Sequence, residues 1–166
     1  PKIKLKKQNI PRIKVIRKKK ENCAISIGYP TYNLFEIKNN IIIQLISNIF
    51  GGSVSSRLYE EIREKATLAY TISSGSEFYQ DAGIFYISTL FDKDSLFENK
   101  NLKKKQGALY ILLTEIEKIR KKGVTKEELT HSKKSIISKL ILKQESTSNI
   151  NEFFGYQLAF NQKIKN

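Results

Sequence analysis

The chain has 166 residues, 40% of them hydrophobic and 28% charged, a length and balance that fit one soluble domain with a core of its own. Its single cysteine, Cys23, excludes an internal disulfide and a cysteine-based zinc cage and fits a reducing compartment, and no apolar run reaches the roughly 18 residues that a membrane span needs. The net charge of +14 invites a nucleic-acid reading, but lysine, asparagine and isoleucine are abundant throughout while Met and Trp are absent, which points to a drift that fills exposed positions with lysine.

The excess charge is concentrated at the front, where residues 1–20 hold ten Lys or Arg and no acid. "KIKLK" and "RIKVIRK" alternate apolar and charged positions around Pro11, which predicts two short strands, or a linker and a strand. Residues 1–16 are expected to be a basic extended arm or linker, and 17–166 a domain cut from a longer polypeptide. "NCAISIGYP" predicts a buried strand ending at Gly28 and Pro30. Cys23 then reads as a small core residue.

From Asn33 the period becomes helical. Ile37, Ile41, Ile42, Leu45, Ile46 and Ile49 form one apolar stripe, and Gly51 and Gly52 end the helix. Ser55 or Ser56 is expected to cap a second helix with Leu58 and Ile62 inward, ending near Ala66. "LAYTISSGS" alternates, placing Leu68, Tyr70 and Ile72 on one face of a strand. "QDAG" signals a turn, and residues 84–91 form the strand that returns antiparallel to it. Residues 92–105 read as a loop. Leu109, Leu112, Leu113, Ile116 and Ile119 mark a further helix, stopped by Gly123. "TKEE", residues 125–128, is a capping box opening a helix with Leu129, Ile136, Ile137, Leu140 and Ile141 buried. A last helix begins near Asn149. The pattern predicts an α+β fold with a mostly antiparallel sheet and helices packed on one face.

The usual catalytic motifs are absent. A zinc peptidase site needs two histidines a helical turn apart and a glutamate, whereas this chain has only His131, which geometry puts off the Leu140 stripe. "GGSVSS" lacks the Lys-Ser/Thr of a phosphate loop. No Gly-x-Ser-x-Gly elbow occurs.

What the chain does carry is an ordered set of smaller motifs: Gly51, Gly52, Ser55, Ser56, Arg57, Leu58, Tyr59; then Arg63, Glu64, Lys65, Leu68, Tyr70; then Asp81, Gly83, Phe85. With "IGYP" before them and "KKGVTKEELTHSKKSIISKL" after, these resemble the C-terminal type of domain in the M16 (pitrilysin and insulinase) metallopeptidases, over nearly the whole chain from about Arg17. One position departs from the family pattern: Thr67 stands where the family has glycine. A β-branched residue tolerates a positive φ poorly, so either the corner differs here or activity is not under strong constraint.

The resemblance implies paired α+β domains around a chamber. One half carries the zinc motif and the other supplies an arginine and a tyrosine to the same site. By position these are Arg63 and Tyr70, with Arg57 a further candidate for substrate binding. Zinc would sit on the companion domain or subunit, and none on this chain. The substrate would be an extended peptide, bound by strand addition.

Plainer readings stand beside these. Arg63 also fits an exposed helix arginine pairing with Tyr59 or Glu60. Tyr70 fits a cross-strand tyrosine beside Leu68 and Ile72, and Arg57 a structural salt bridge to Glu60 or Glu61. For the whole chain the alternatives are a catalytically inactive scaffold subunit of an M16-like assembly and a basic nucleic-acid-binding domain.

Overall fold

The computed structural model describes residues 8–98 and 106–161. Three strands, β1 (Asn22–Thr31), β2 (Ala69–Phe78) and β3 (Gly83–Asp92), form one antiparallel sheet in the order β1-β3-β2. Helix α1 spans Ile37–Phe50 and α2 spans Ala108–Lys122. Between α1 and β2 lies a π-helical turn, Tyr59–Lys65. Two further helices, α3 (Lys126–Gln144) and α4 (Thr147–Asn161), make up a separate compact unit from Lys126 onward.

The core of the first unit explains its layering. Period-2 alternation puts Cys23, Ile25 and Ile27 of β1, Ile72 of β2 and Phe85, Ile87 and Phe91 of β3 on one face of the sheet. Phe50, Leu58, Ile62, Ala66, Ala108 and Leu112 cover that face from the helices. Leu58, Ile62, Ile87 and Phe91 have no exposed surface. The opposite face is lined by small side chains: the register sets Ser26, Ser88 and Ser73 in one row, and Gly28, Tyr86 and Gly75 in the next. A Cβ on Gly75 would lie 2.4 Å from the Tyr86 ring, so the glycine leaves room for the ring to lie across the sheet. The fold is therefore the α+β arrangement that the pattern predicts, with helices on one face.

The glycine pair has a use beyond stopping α1. Gly51 is not in the left-handed region, with φ at −153°. A Cβ there would sit 2.9 Å from the Ser74 backbone nitrogen. The end of α1 thus lies directly on β2, where Ser74 Oγ donates to the Ser47 carbonyl at 2.6 Å and Ser74 N–H to Gly51 at 3.3 Å.

Several expectations change. "KIKLK" lies outside the described residues, and "RIKVIRK" is exposed and forms no strand, since no strand among the described residues pairs with it. Helix α1 starts at Ile37, four residues late, because Asn33 and Leu34 are used instead: their carbonyls accept from the buried Asn40 Nδ2. Its apolar stripe is inward only toward the end of the helix, where Ile49 is buried and Leu45 and Ile46 are half-buried. Ile37, Ile41 and Ile42 are 68%, 52% and 53% exposed, whereas Asn40, Ser47 and Asn48 are buried. In α3 the same holds for Ile137, Leu140 and Ile141, which are exposed. Residues 93–95, expected as loop, form a short 3-10 turn opened by Asp92, whose carboxylate accepts from Asp94 N–H; residues 99–105 of that expected loop fall outside the described residues. Helix α3 begins at Lys126, directly after Thr125, where the capping box predicts.

The Gly51 contact makes a direct prediction. Gly51→Ala forces the α1 terminus off β2 and should lower unfolding stability by about 1–3 kcal/mol in urea denaturation. A wild-type midpoint would mean that the two elements are not held this closely.

Candidate functional site

The segment from Ser56 to Thr71 holds the sequence candidates and three backbone irregularities. Ser56 stands at the helix entrance: its carbonyl takes the first helical bond, from Glu60 N–H at 3.0 Å. Its hydroxyl, one of the two expected to cap the helix, instead lies buried without a hydrogen-bond partner among the described residues. The helix widens to π winding over Tyr59–Lys65, with Ile62 buried on its inner side. It closes with a bond from Leu68 N–H to the Ile62 carbonyl at 2.9 Å. That bond spans one residue more than the ordinary closing bond of a glycine-type helix end, as π winding requires.

Thr67 makes the turn. Its φ is 54°, the one positive value outside glycine among the described residues. Threonine thus adopts the left-handed corner conformation that suits glycine. The corner is kept, not altered, despite the change of residue. Thr67 is exposed, so the cost is confined to the backbone and does not come from core packing.

Tyr70 follows three residues on, and its expected face is wrong. Ala69 pairs with Phe91 and Thr71 with the adjacent Leu90, which leaves Tyr70 as the extra residue of a β-bulge. Leu68 is 4% exposed while Tyr70 is 55% exposed. The bulge turns the phenol outward instead of stacking it beside Leu68 and Ile72. Beside the interruption, the buried Thr89 hydroxyl donates to the Thr71 carbonyl at 3.0 Å.

Arg63 is exposed on the π turn, its guanidinium carbon 4.9 Å from the Tyr59 ring centre. Of the two partners the sequence leaves open, Tyr59 is the one in contact. Glu60 is engaged elsewhere: Lys65 Nζ lies 2.8 Å from Glu60 and 2.7 Å from Glu61. The hydrogen bond to Glu60, then that to Glu61, hold the Lys65 ammonium above the usual lysine range. Arg57 turns away from this surface. Its guanidinium donates to the Gly123 carbonyl at 3.0 Å, at the end of α2 where carbonyls lack helical partners. That bond ties the helix entrance to α2 and gives Arg57 a structural use.

Zinc does not fit here. Among the described residues no three His, Cys, Asp or Glu side chains gather as a ligand set, and His131 is exposed on α3. No helix of the described residues is long and apolar enough to cross a membrane. What the corner offers is donors: a guanidinium and a phenol, on either side of a sharp turn, both facing solvent. The contact with Tyr59 is one of the two pairings that the sequence leaves open for Arg63, through its i, i+4 spacing, whereas the hold of Lys65 on Glu60 and Glu61 was not among the expectations.

The family model for the peptidase M16 inactive domain matches residues 1–136. An uncharacterized zinc protease of Rickettsia felis is 35% identical over 146 residues, covering 87% of this chain and 32% of the relative. The Helicobacter pylori protein called a non-peptidase homolog is 28% identical over 164 residues, covering 92% of this chain and 35% of the relative. Among solved structures, a peptidase M16 inactive domain from Pseudomonas fluorescens superposes with a TM-score of 0.70 at 21% identity, covering 87% of this chain and 32% of that one. The chain thus spans about a third of the length of these proteins.

The bulge separates Leu68 from Tyr70, two positions on, in energetic terms. Leu68→Ala should cost about 2–5 kcal/mol, whereas Tyr70→Ala should stay within about 0.5 kcal/mol of wild type. Denaturant unfolding of the two variants checks this, and equal losses would contradict the outward placement of Tyr70.

Proposed function

Because the chain belongs to the peptidase M16 family as an inactive domain, we propose that it completes the peptidase site of a zinc-bearing companion domain or subunit. Arg63 and Tyr70 are its contribution. The observation that carries this reading is the corner itself: π winding, a left-handed Thr67 and a bulge occur within a dozen residues, and Arg63 and Tyr70 are exposed there.

The chemistry asked of them is modest. When a peptide carbonyl is attacked, negative charge grows on its oxygen, and preorganised donors lower the barrier. An arginine fork and a phenol hydroxyl are suitable donors. The metal is assigned to the companion, which fits the absence of a ligand set among the described residues. Companion and peptide are therefore the partners of this chain, and its own domain runs from about residue 17, after a basic arm. Arg57, bonded to Gly123, contributes to substrate binding only by holding the helix entrance in place.

A second reading is favoured by one comparison, the Helicobacter pylori relative named a non-peptidase homolog. The chain would then be a scaffold domain that keeps the corner but takes no part in catalysis. The same variants separate the two readings. With the companion present, Arg63→Ala should lower turnover of an unfolded-peptide substrate by about ten- to a thousandfold, and Tyr70→Phe should lower it as well. Full activity in Arg63→Ala supports the scaffold reading and removes the catalytic one.

A further inference from the structure

The neighbours of Arg63 carry a further consequence, which rests on the function proposed above. An exposed arginine with a glutamate three residues before it ordinarily pairs with that glutamate. Here Glu60 occupies that position, and a paired guanidinium would offer fewer free N–H groups to a substrate. The π winding removes this outcome. A turn closed by i→i+5 bonds brings residues five apart onto one side, so Lys65 reaches Glu60 as well as Glu61, its ordinary i−4 partner. One lysine thereby holds both carboxylates. Arg63 lies instead over Tyr59, also four residues before it, at 4.9 Å. A ring face engages the guanidinium through its π surface and leaves the N–H edge available.

We infer that Tyr59 and Lys65 are positioning residues for Arg63: Tyr59 supports the guanidinium plane, and Lys65 keeps Glu60 from capturing it. Neither touches substrate. The arrangement delivers a pre-oriented cation whose donor edge is not spent among the described residues. It also assigns a use to the π winding, since an ordinary α-helix turns residues 60 and 65 to different sides.

The test uses the complete polypeptide assembled with its zinc-bearing companion. Tyr59→Leu should lower kcat about two- to fivefold with KM unchanged, the range expected for one exposed cation–π contact. Tyr59→Phe, which keeps the ring face, should restore wild-type turnover. Lys65→Gln should lower kcat by a similar factor, and adding Glu60→Gln should recover it. If Tyr59→Leu keeps full kcat while Arg63→Ala is impaired, the positioning role is overturned. A second readout does not depend on activity. The ring current of Tyr59 should shift the Arg63 side-chain resonances in NMR spectra, and Tyr59→Leu should abolish the shift. Unchanged Arg63 resonances in that variant overturn the inference whatever the turnover, whereas an inactive role for Arg63 with the shift present removes only the catalytic reading.

The corner also fixes what Thr67 should do. Replacing it by glycine relieves the left-handed strain, which outweighs the added entropy cost of ordering a glycine. Thr67→Gly should therefore raise the denaturant midpoint slightly, and it should leave the Arg63 resonances in place.

Discussion

The site depends on one buried seam. Leu58, Ile62, Ala66 and Leu68 are each at most 5% exposed and pack against Ile87 and Phe91 of the central strand. Four inward side chains across a helix-to-strand corner leave the backbone little choice. The helix must stay in register with the sheet to the end of its last turn, reverse, and enter β2 with Leu68 already buried. An ordinary helix end does this with glycine in the left-handed position. This chain does it with an extra residue of π winding and Thr67 at φ 54°.

The same seam accounts for the outward residues. Once Leu68 is buried, strict alternation would bring Tyr70 to the same face. The bulge breaks that alternation and spends one residue outside the ladder. Burial of Leu68 and exposure of Tyr70 are thus a single event. On the helix side, winding that keeps Leu58, Ile62 and Ala66 inward leaves Arg63 exposed, and it lets Lys65 take both acids. Electrostatic arrangement here follows from packing, not from any strong ion pair. Exposed pairs of this kind add little stability by themselves.

How far the sequence reveals this depends on the scale. Element types, the hairpin at residues 79–82, the stop at Gly123 and the start of α3 after Thr125 follow from turn and capping residues, which act locally. Arg63 and Tyr70 were legible through resemblance alone, since spacing does not bring them to one side. The failures share one cause: local patterns do not say what a surface will meet. The isoleucines of α1 have a clear helical period, but the end of the helix meets β2 through Ser47 and Gly51, because close backbone approach requires small residues there. The face with Ile37, Ile41 and Ile42 is left outward. The bulge and the π winding are single-residue insertions into regular patterns, and a period fitted to the whole segment averages over them.

Thr67 brings these strands of argument together. The absence of glycine suggested either a different corner or a relaxed constraint. The corner is not different: the left-handed conformation persists with a branched side chain. Positive φ in threonine costs free energy, and such strain persists only when the surroundings determine it. Those surroundings are the buried seam on both sides of it, worth several kcal/mol in Leu68 alone. The threonine is therefore tolerated because packing outweighs it. Its presence says nothing against the donors it separates, since the backbone path that exposes Arg63 and Tyr70 is set by Ile62 and Leu68, not by the residue at the turn.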